Sequence, residues 1–144
     1  MTPDQYCKEK LNASHSNFAM AFIFLSNKKR KVMNALYAFC REVDDIADEC
    51  KEYEIGKNKL DWWRVEIQRL FDNNPQHPVT KALLPHIKNY QLNQEYYHNL
   101  NQLNHLKMNQ AHQGNRHDLD SHYNFLVRQY MNPIYLQYHH RQYL

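Results

Sequence analysis

Between about Lys28 and Glu52, apolar residues recur at Val32, Leu36, Phe39, Val43, Ile46 and Cys50. Their spacing alternates four and three, which draws a single stripe along a helix. The other residues of the segment keep a period of their own. Tyr37, Arg41, Asp44 and Asp48 also step by four, three and four, with Asp45 beside them. At about 100° per residue this second set lies on a separate face. The pattern predicts one long helix with a stripe that packs and a stripe that presents carboxylates.

The same patterning places the other elements. Thr2 followed by Pro3 reads as an N-cap and first helical residue, opening a short helix to about Asn12. The run FAMAFIFL, Phe18 to Leu25, forms a second helical piece. Gly56 is expected to end the long-helix unit. The stretch NKLDWWRVEIQRLF then begins a helix with Leu60, Trp63, Ile67 and Leu70 facing inward. Pro75 and Pro78 break the chain, and Pro78 is placed to start a helix from about Val79 to Tyr90, kinked at Pro85. Asn93 is set to cap a further helix through Leu100, Leu103 and Leu106. Only two glycines and five prolines occur in 144 residues, too few turn signals for a many-stranded sheet. The expected fold class is all-α, in a length that suits one domain with a real core.

Composition shifts at Gln91. From there the chain is dense in Asn, Gln and His, and its only acids are Glu95, Asp118 and Asp120. Periodicity fades after about Met108. This predicts a helical unit over residues 1–100 and a divergent, irregular tail over 101–144.

Charge and cysteine usage narrow the function classes. The formal net charge of +3 is interspersed, so no basic stripe points to nucleic acid. Tyr130, Tyr135, Tyr138 and Tyr143 lack the accompanying basic residues that stacking on a single strand would need. No apolar run follows a basic start, so no signal peptide is expected, and FAMAFIFL is too short to span a bilayer. The three cysteines read as reduced thiols. A cytoplasmic or membrane-peripheral location is expected. His98, His105 and His112 share a helix face, yet a rise of about 1.5 Å per residue separates them by roughly 10 Å. Zinc ligands sit about 2 Å from the metal, so these histidines cannot share one ion.

As plain surface charge, the carboxylate stripe is unfavourable. Like charges at i,i+4, such as Asp44 and Asp48, destabilise a helix by roughly 0.2–0.5 kcal/mol per pair. Acids late in a helix also face the negative end of its dipole. Arg41 is expected to offset only part of this, and a divalent cation would complete the arrangement. Mg²⁺ is a hard ion that takes one or two carboxylates, keeps several waters and bridges to phosphate. Arg41, one turn earlier, suits paired hydrogen bonds to phosphate, and Tyr37 adds a hydroxyl further along. The other reading of the same residues is the solvated face of an amphipathic helix.

The stretch YAFCREVDDIADE resembles the first aspartate-rich motif of the squalene and phytoene synthases. MTPDQYCKEK, SHSNFAMAFIFL, WWRVEI and HPVTKALLPHI fall in the order of that family, over about residues 1 to 100. Within it the likeness is greatest to the bacterial presqualene diphosphate synthases of hopanoid biosynthesis. The resemblance implies the amino-terminal half of an isoprenoid-synthase-type helical bundle around a central cavity. It implies head-to-head joining of two prenyl diphosphates, farnesyl diphosphate giving presqualene diphosphate. Asp44 and Asp48, with Asp45 nearby, would hold Mg²⁺ on a substrate diphosphate. Arg41 and Tyr37 would contact the diphosphate or orient the acids. Ser14, Ser16 and Asn17 would help bind it, and Phe18 and Phe22 would wall the prenyl tunnel; ordinary core is an equal reading for the phenylalanines.

The chain departs from the family pattern in three places. Asn17 stands where the family has serine. LNQLNHLKMNQ stands where an acidic segment like Ile-Asp-Gly-Met-Glu-Met-Asp is expected. No second aspartate-rich motif follows, since Asp118 and Asp120 are two apart and fall on different sides of a helix. The expectation is a truncated or disrupted copy of such a synthase. The alternatives are a non-catalytic prenyl-diphosphate-binding or partner-dependent module, or a phytoene-type condensation. A partner chain or oligomer completing the cavity, and peripheral membrane contact, are further expectations.

Overall fold

A computed structural model describes residues 1–114. Its elements are α1 (Pro3–Ala13), α2 (Phe18–Phe22), α3 (Asn27–Glu49), α4 (Tyr53–Phe71), α5 (Pro78–Leu83) continued by a 3₁₀ turn (Leu84–His86), and α6 (Gln94–His112). No strand occurs among the described residues, and the fold class is all-α. The tyrosine-rich end, Asp118 and Asp120 lie outside the described residues.

α3 is the axis of the fold. The predicted apolar stripe is buried at Val32, Leu36, Phe39 and Val43, while Ile46 and Cys50 are half-buried as the helix leaves the core. Met33, Ala35, Ala38 and Cys40 are buried too, because α1, α4, α5 and α6 pack around α3 on several sides. The Phe39 ring meets Trp63 of α4 and Tyr97 of α6 edge-on, with centroids 5.6 and 4.9 Å away. The inward set of α4 is as predicted: Leu60, Trp63, Ile67 and Leu70 are all buried.

Side-chain caps fix where α1 and α6 begin. The Thr2 hydroxyl accepts from the Gln5 N–H at 3.2 Å, and the Gln5 side chain accepts from the Thr2 N–H at 2.9 Å. This reciprocal box satisfies two donors that a helix start leaves orphaned. Asn93 caps α6 as predicted, its side chain accepting from the Glu95 N–H at 2.9 Å.

Two predicted features are corrected. Gly56 does not end a unit but lies buried inside α4. A Cβ there would come within 2.1 Å of the Met108 Cε, so glycine leaves room for the end of the Met108 side chain of α6. Pro85 does not kink a helix reaching Tyr90. α5 stops at Leu83 and tightens into the 3₁₀ turn, because a helix interior tolerates neither the missing N–H of proline nor its ring.

α6 runs without a break across position 100 and buries Leu100, Asn101, Leu103, Asn104 and Met108. The amide-rich composition therefore sits on a packed helix up to His112. Asn101 shows how one buried amide is accommodated: its Nδ2 donates to the Leu60 carbonyl at 3.0 Å, tying α6 to α4.

The turn from α4 to α5 is wound around a buried carboxylate. Glu66 accepts from the backbone N–H groups of Gln76 and His77 at 2.7 and 2.8 Å, and from the Thr80 hydroxyl at 2.5 Å. Burial alone would raise its pKa. The hydrogen bonds from His77, Thr80 and Gln76, with Arg69 beside them, outweigh burial and hold it below the ordinary value.

Candidate functional site

The second stripe of α3 forms the floor of the site, and its members differ in depth. Tyr37 and Asp44 are buried, Arg41 and Asp45 are half-buried, and Asp48 is exposed. Periodicity put them on one face; the packing of α1 and α6 against α3 sets how far each is from water.

Arg41 donates to Asp44 Oδ2 at 3.2 Å and also pairs with Asp45. Two lysines from other helices join it. Lys107 of α6 places its Nζ 2.9 Å from Asp44 Oδ1 and 3.2 Å from Asp48 Oδ1. Lys10 of α1 lies 3.0 Å from Asp45 Oδ2 and 3.5 Å from Glu42 Oε1, and Glu42 also accepts from the Tyr6 hydroxyl. Arg41 offsets only part of the stripe's charge, and cations from α1 and α6, which the sequence reading did not include, close over it as well. Burial pushes the Asp44 pKa up, against the hydrogen bond and charge of Lys107, which pull it down.

Tyr37 brings a second predicted region to this helix. Its hydroxyl donates to Ser14 Oγ at 3.0 Å, and Ser14 Oγ donates to the Leu11 carbonyl at 2.6 Å. Ser14 therefore stands over the same face as Arg41, one turn from it. Ser16 is half-buried and Asn17 exposed, with Asn17 preceding α2 without a side-chain cap. Phe22 is buried within the core. The Phe18 side chain lies outside the described residues.

Lys10 and Lys107 escaped the sequence reading because neither is near the acids in the chain; Lys107 and Asp44 are 63 residues apart. One signal existed. Lys107 is the only lysine or arginine in the whole of α6.

The donor set suits a hard divalent ion. Two carboxylate oxygens, one from Asp44 and one from Asp48, converge on a single position that already accommodates positive charge. Such an ion takes one or two carboxylates and draws its remaining ligands from water and phosphate. Among the described residues, no group of three or more His, Cys, Asp or Glu could hold a metal unaided. The spaced histidines have other neighbours: His105 lies 3.4 Å from Asp61, and His112 stacks on Tyr53. No helix among the described residues is long and apolar enough to cross a membrane.

A family profile described as squalene/phytoene synthase matches residues 11–123. The presqualene diphosphate synthase of Zymomonas mobilis is 41% identical over 64 residues, covering 44% of this chain and 22% of that protein. The human NADH dehydrogenase (ubiquinone) complex I assembly factor 6 is 27% identical over 94 residues, covering 65% and 28%. The 15-cis-phytoene synthase of Synechococcus elongatus is 24% identical over 86 residues, covering 60% and 28%. The chain thus spans between 22% and 28% of the length of these relatives. No solved structure matches it. The aspartate helix and a profile match covering most of the 144 residues lead to one assignment: the chain belongs to the squalene/phytoene synthase family.

Proposed function

We propose that this chain supplies the first diphosphate-binding face for head-to-head condensation of two prenyl diphosphates, farnesyl diphosphate giving presqualene diphosphate. The observation that carries the reading is the convergence of Asp44 and Asp48 on one cation position, with Arg41 and Tyr37 on the same helical face. Held by Asp44 and Asp48, Mg²⁺ would neutralise charge on the diphosphate leaving group. The chain's own residues provide the rest. Arg41 is held in place by Asp44 and Asp45, and its planar fork suits a phosphate. Tyr37 and Ser14 are linked hydroxyls that extend the polar face towards α1. Beside buried Phe22, the side chains of Met20, Ile23 and Phe24 are exposed. These apolar surfaces support a partner chain or second copy that completes the prenyl cavity.

The pairing of both carboxylates with Lys107 favours a second reading, a non-catalytic prenyl-diphosphate-binding or partner-dependent module. The two readings share the binding step and part at turnover. A phytoene-type condensation would use the same face with a longer prenyl chain.

Calorimetric titration with farnesyl thiodiphosphate, a poorly ionising analogue, tests the shared step. Binding is expected only with Mg²⁺ present. The double substitution Asp44→Asn/Asp48→Asn should weaken it by at least about 100-fold, the upper end of losses seen when groups that support a metal are removed. Unchanged affinity in a folded double variant would sink the proposal. With farnesyl diphosphate itself, binding without product would select the second reading.

A further inference from the structure

Lys107 is placed unlike an ordinary surface partner. Its side chain is 11% exposed, as is that of Asp44, while Asp48 at 50% forms the open side of the pair. Exposed ion pairs contribute little because water and salt screen them. This one is largely withdrawn from water, and a single ammonium answers two carboxylates that would otherwise repel each other one turn apart. Arg41 approaches Asp44 through the other oxygen, Oδ2. The Oδ1 side, where the Asp44 and Asp48 carboxylates converge, belongs to Lys107.

We propose that Lys107 is a built-in counter-cation in the metal position of the Asp44–Asp48 pair, so that α6 and a divalent cation compete for the same carboxylates. The inference rests on the reading that these two residues hold Mg²⁺. Metal alone must displace an ammonium that is tethered and therefore always present. An incoming diphosphate changes the balance, because its oxygens can receive the displaced ammonium by charge-assisted hydrogen bonds. Metal and diphosphate then load together, and metal without diphosphate binds more weakly. If Lys107 is docked about nine-tenths of the time, the apparent affinity for metal alone falls about tenfold, since only the undocked fraction can bind.

The test is Mn²⁺ titration of the full chain, with free Mn²⁺ read by electron paramagnetic resonance. Lys107→Met keeps most of the unbranched apolar stem without the charge, and Lys107→Gln keeps a donor should the first variant fold poorly. Either is expected to bind Mn²⁺ at least about tenfold more tightly than the parent. Adding Asp48→Asn should remove the gain. Mn²⁺ at a concentration that just saturates the Lys107 variants should raise their Tm by more than the parent's, a rescue that loss of packing would not produce. Equal Mn²⁺ affinity in parent and variants, including no detectable binding by any, overturns the proposal. So does a gain that survives Asp48→Asn. The farnesyl thiodiphosphate titration fails or succeeds separately. A Lys107 variant that gains Mn²⁺ while the analogue never binds would keep the counter-cation and discard the prenyl diphosphate reading.

Discussion

Replacing Glu66 with alanine should destabilise the protein by about 3–5 kcal/mol, the range for breaking a buried charged network from one side. Glu66 is 0% exposed and receives the N–H groups of Gln76 and His77 and the Thr80 hydroxyl. Without it, the Gln76 and His77 N–H groups lose their acceptor, at about 1–3 kcal/mol for each group left unsatisfied, while the Thr80 hydroxyl keeps the His77 carbonyl at 2.9 Å. The damage spreads because this turn sets the start of α5, which packs on α1 and α3. Urea unfolding followed by circular dichroism gives the value, and a loss below about 1 kcal/mol would contradict the account. The pH dependence has a definite sign. The folded pKa of Glu66 is depressed below the ordinary 4.5, so its contribution is present above the unfolded value and is lost as pH falls through the folded one. Glu66→Ala should therefore flatten the acid limb of the stability profile. Asp44 acts in the opposite direction. Its raised pKa means that stability falls as pH climbs from the ordinary 3.8 through the folded value.

Phe39→Ala should cost a similar amount, about 3–5 kcal/mol, by leaving a cavity where α3, α4 and α6 meet. The ring is 1% exposed and holds edge contacts with Trp63 and Tyr97; each such aromatic pair contributes about 0.5–1.5 kcal/mol beyond burial. Thermal unfolding should register a fall in Tm of more than about 10 °C. Phe39→Leu fills most of the space and should cost well under half as much. Near-equal losses from the two variants would mean that ring contacts, rather than lost volume, dominate the site.

What could be read from the sequence was what the chain determines locally. The Thr2-Pro3 start, the Asn93 cap and the stripes of α3 and α4 depend on residues within a turn or two of each other. The two faces of α3 followed from spacing alone, including the grouping of Tyr37, Arg41, Asp44 and Asp48. Features set by one helix meeting another were not legible. Gly56 looked like a terminator because its role depends on Met108. Pro85 gave a warning without saying whether the helix would bend or stop. The acids looked under-compensated because Lys10 and Lys107 reach them only after folding. Spacing likewise says nothing of depth, so it could not separate buried Asp44 from exposed Asp48.

That α3 is at once the core's axis and the site's floor has a consequence for its length. Adding or deleting one residue between Tyr37 and Asp44 would turn everything downstream by about 100°. Val43 and Ile46 would swing out of the apolar seam, and the carboxylates would turn away from Lys10 and Lys107. Substitutions on the exposed positions of this helix touch one face at a time, whereas a change of frame scrambles both. The helix can vary in letters but not in count.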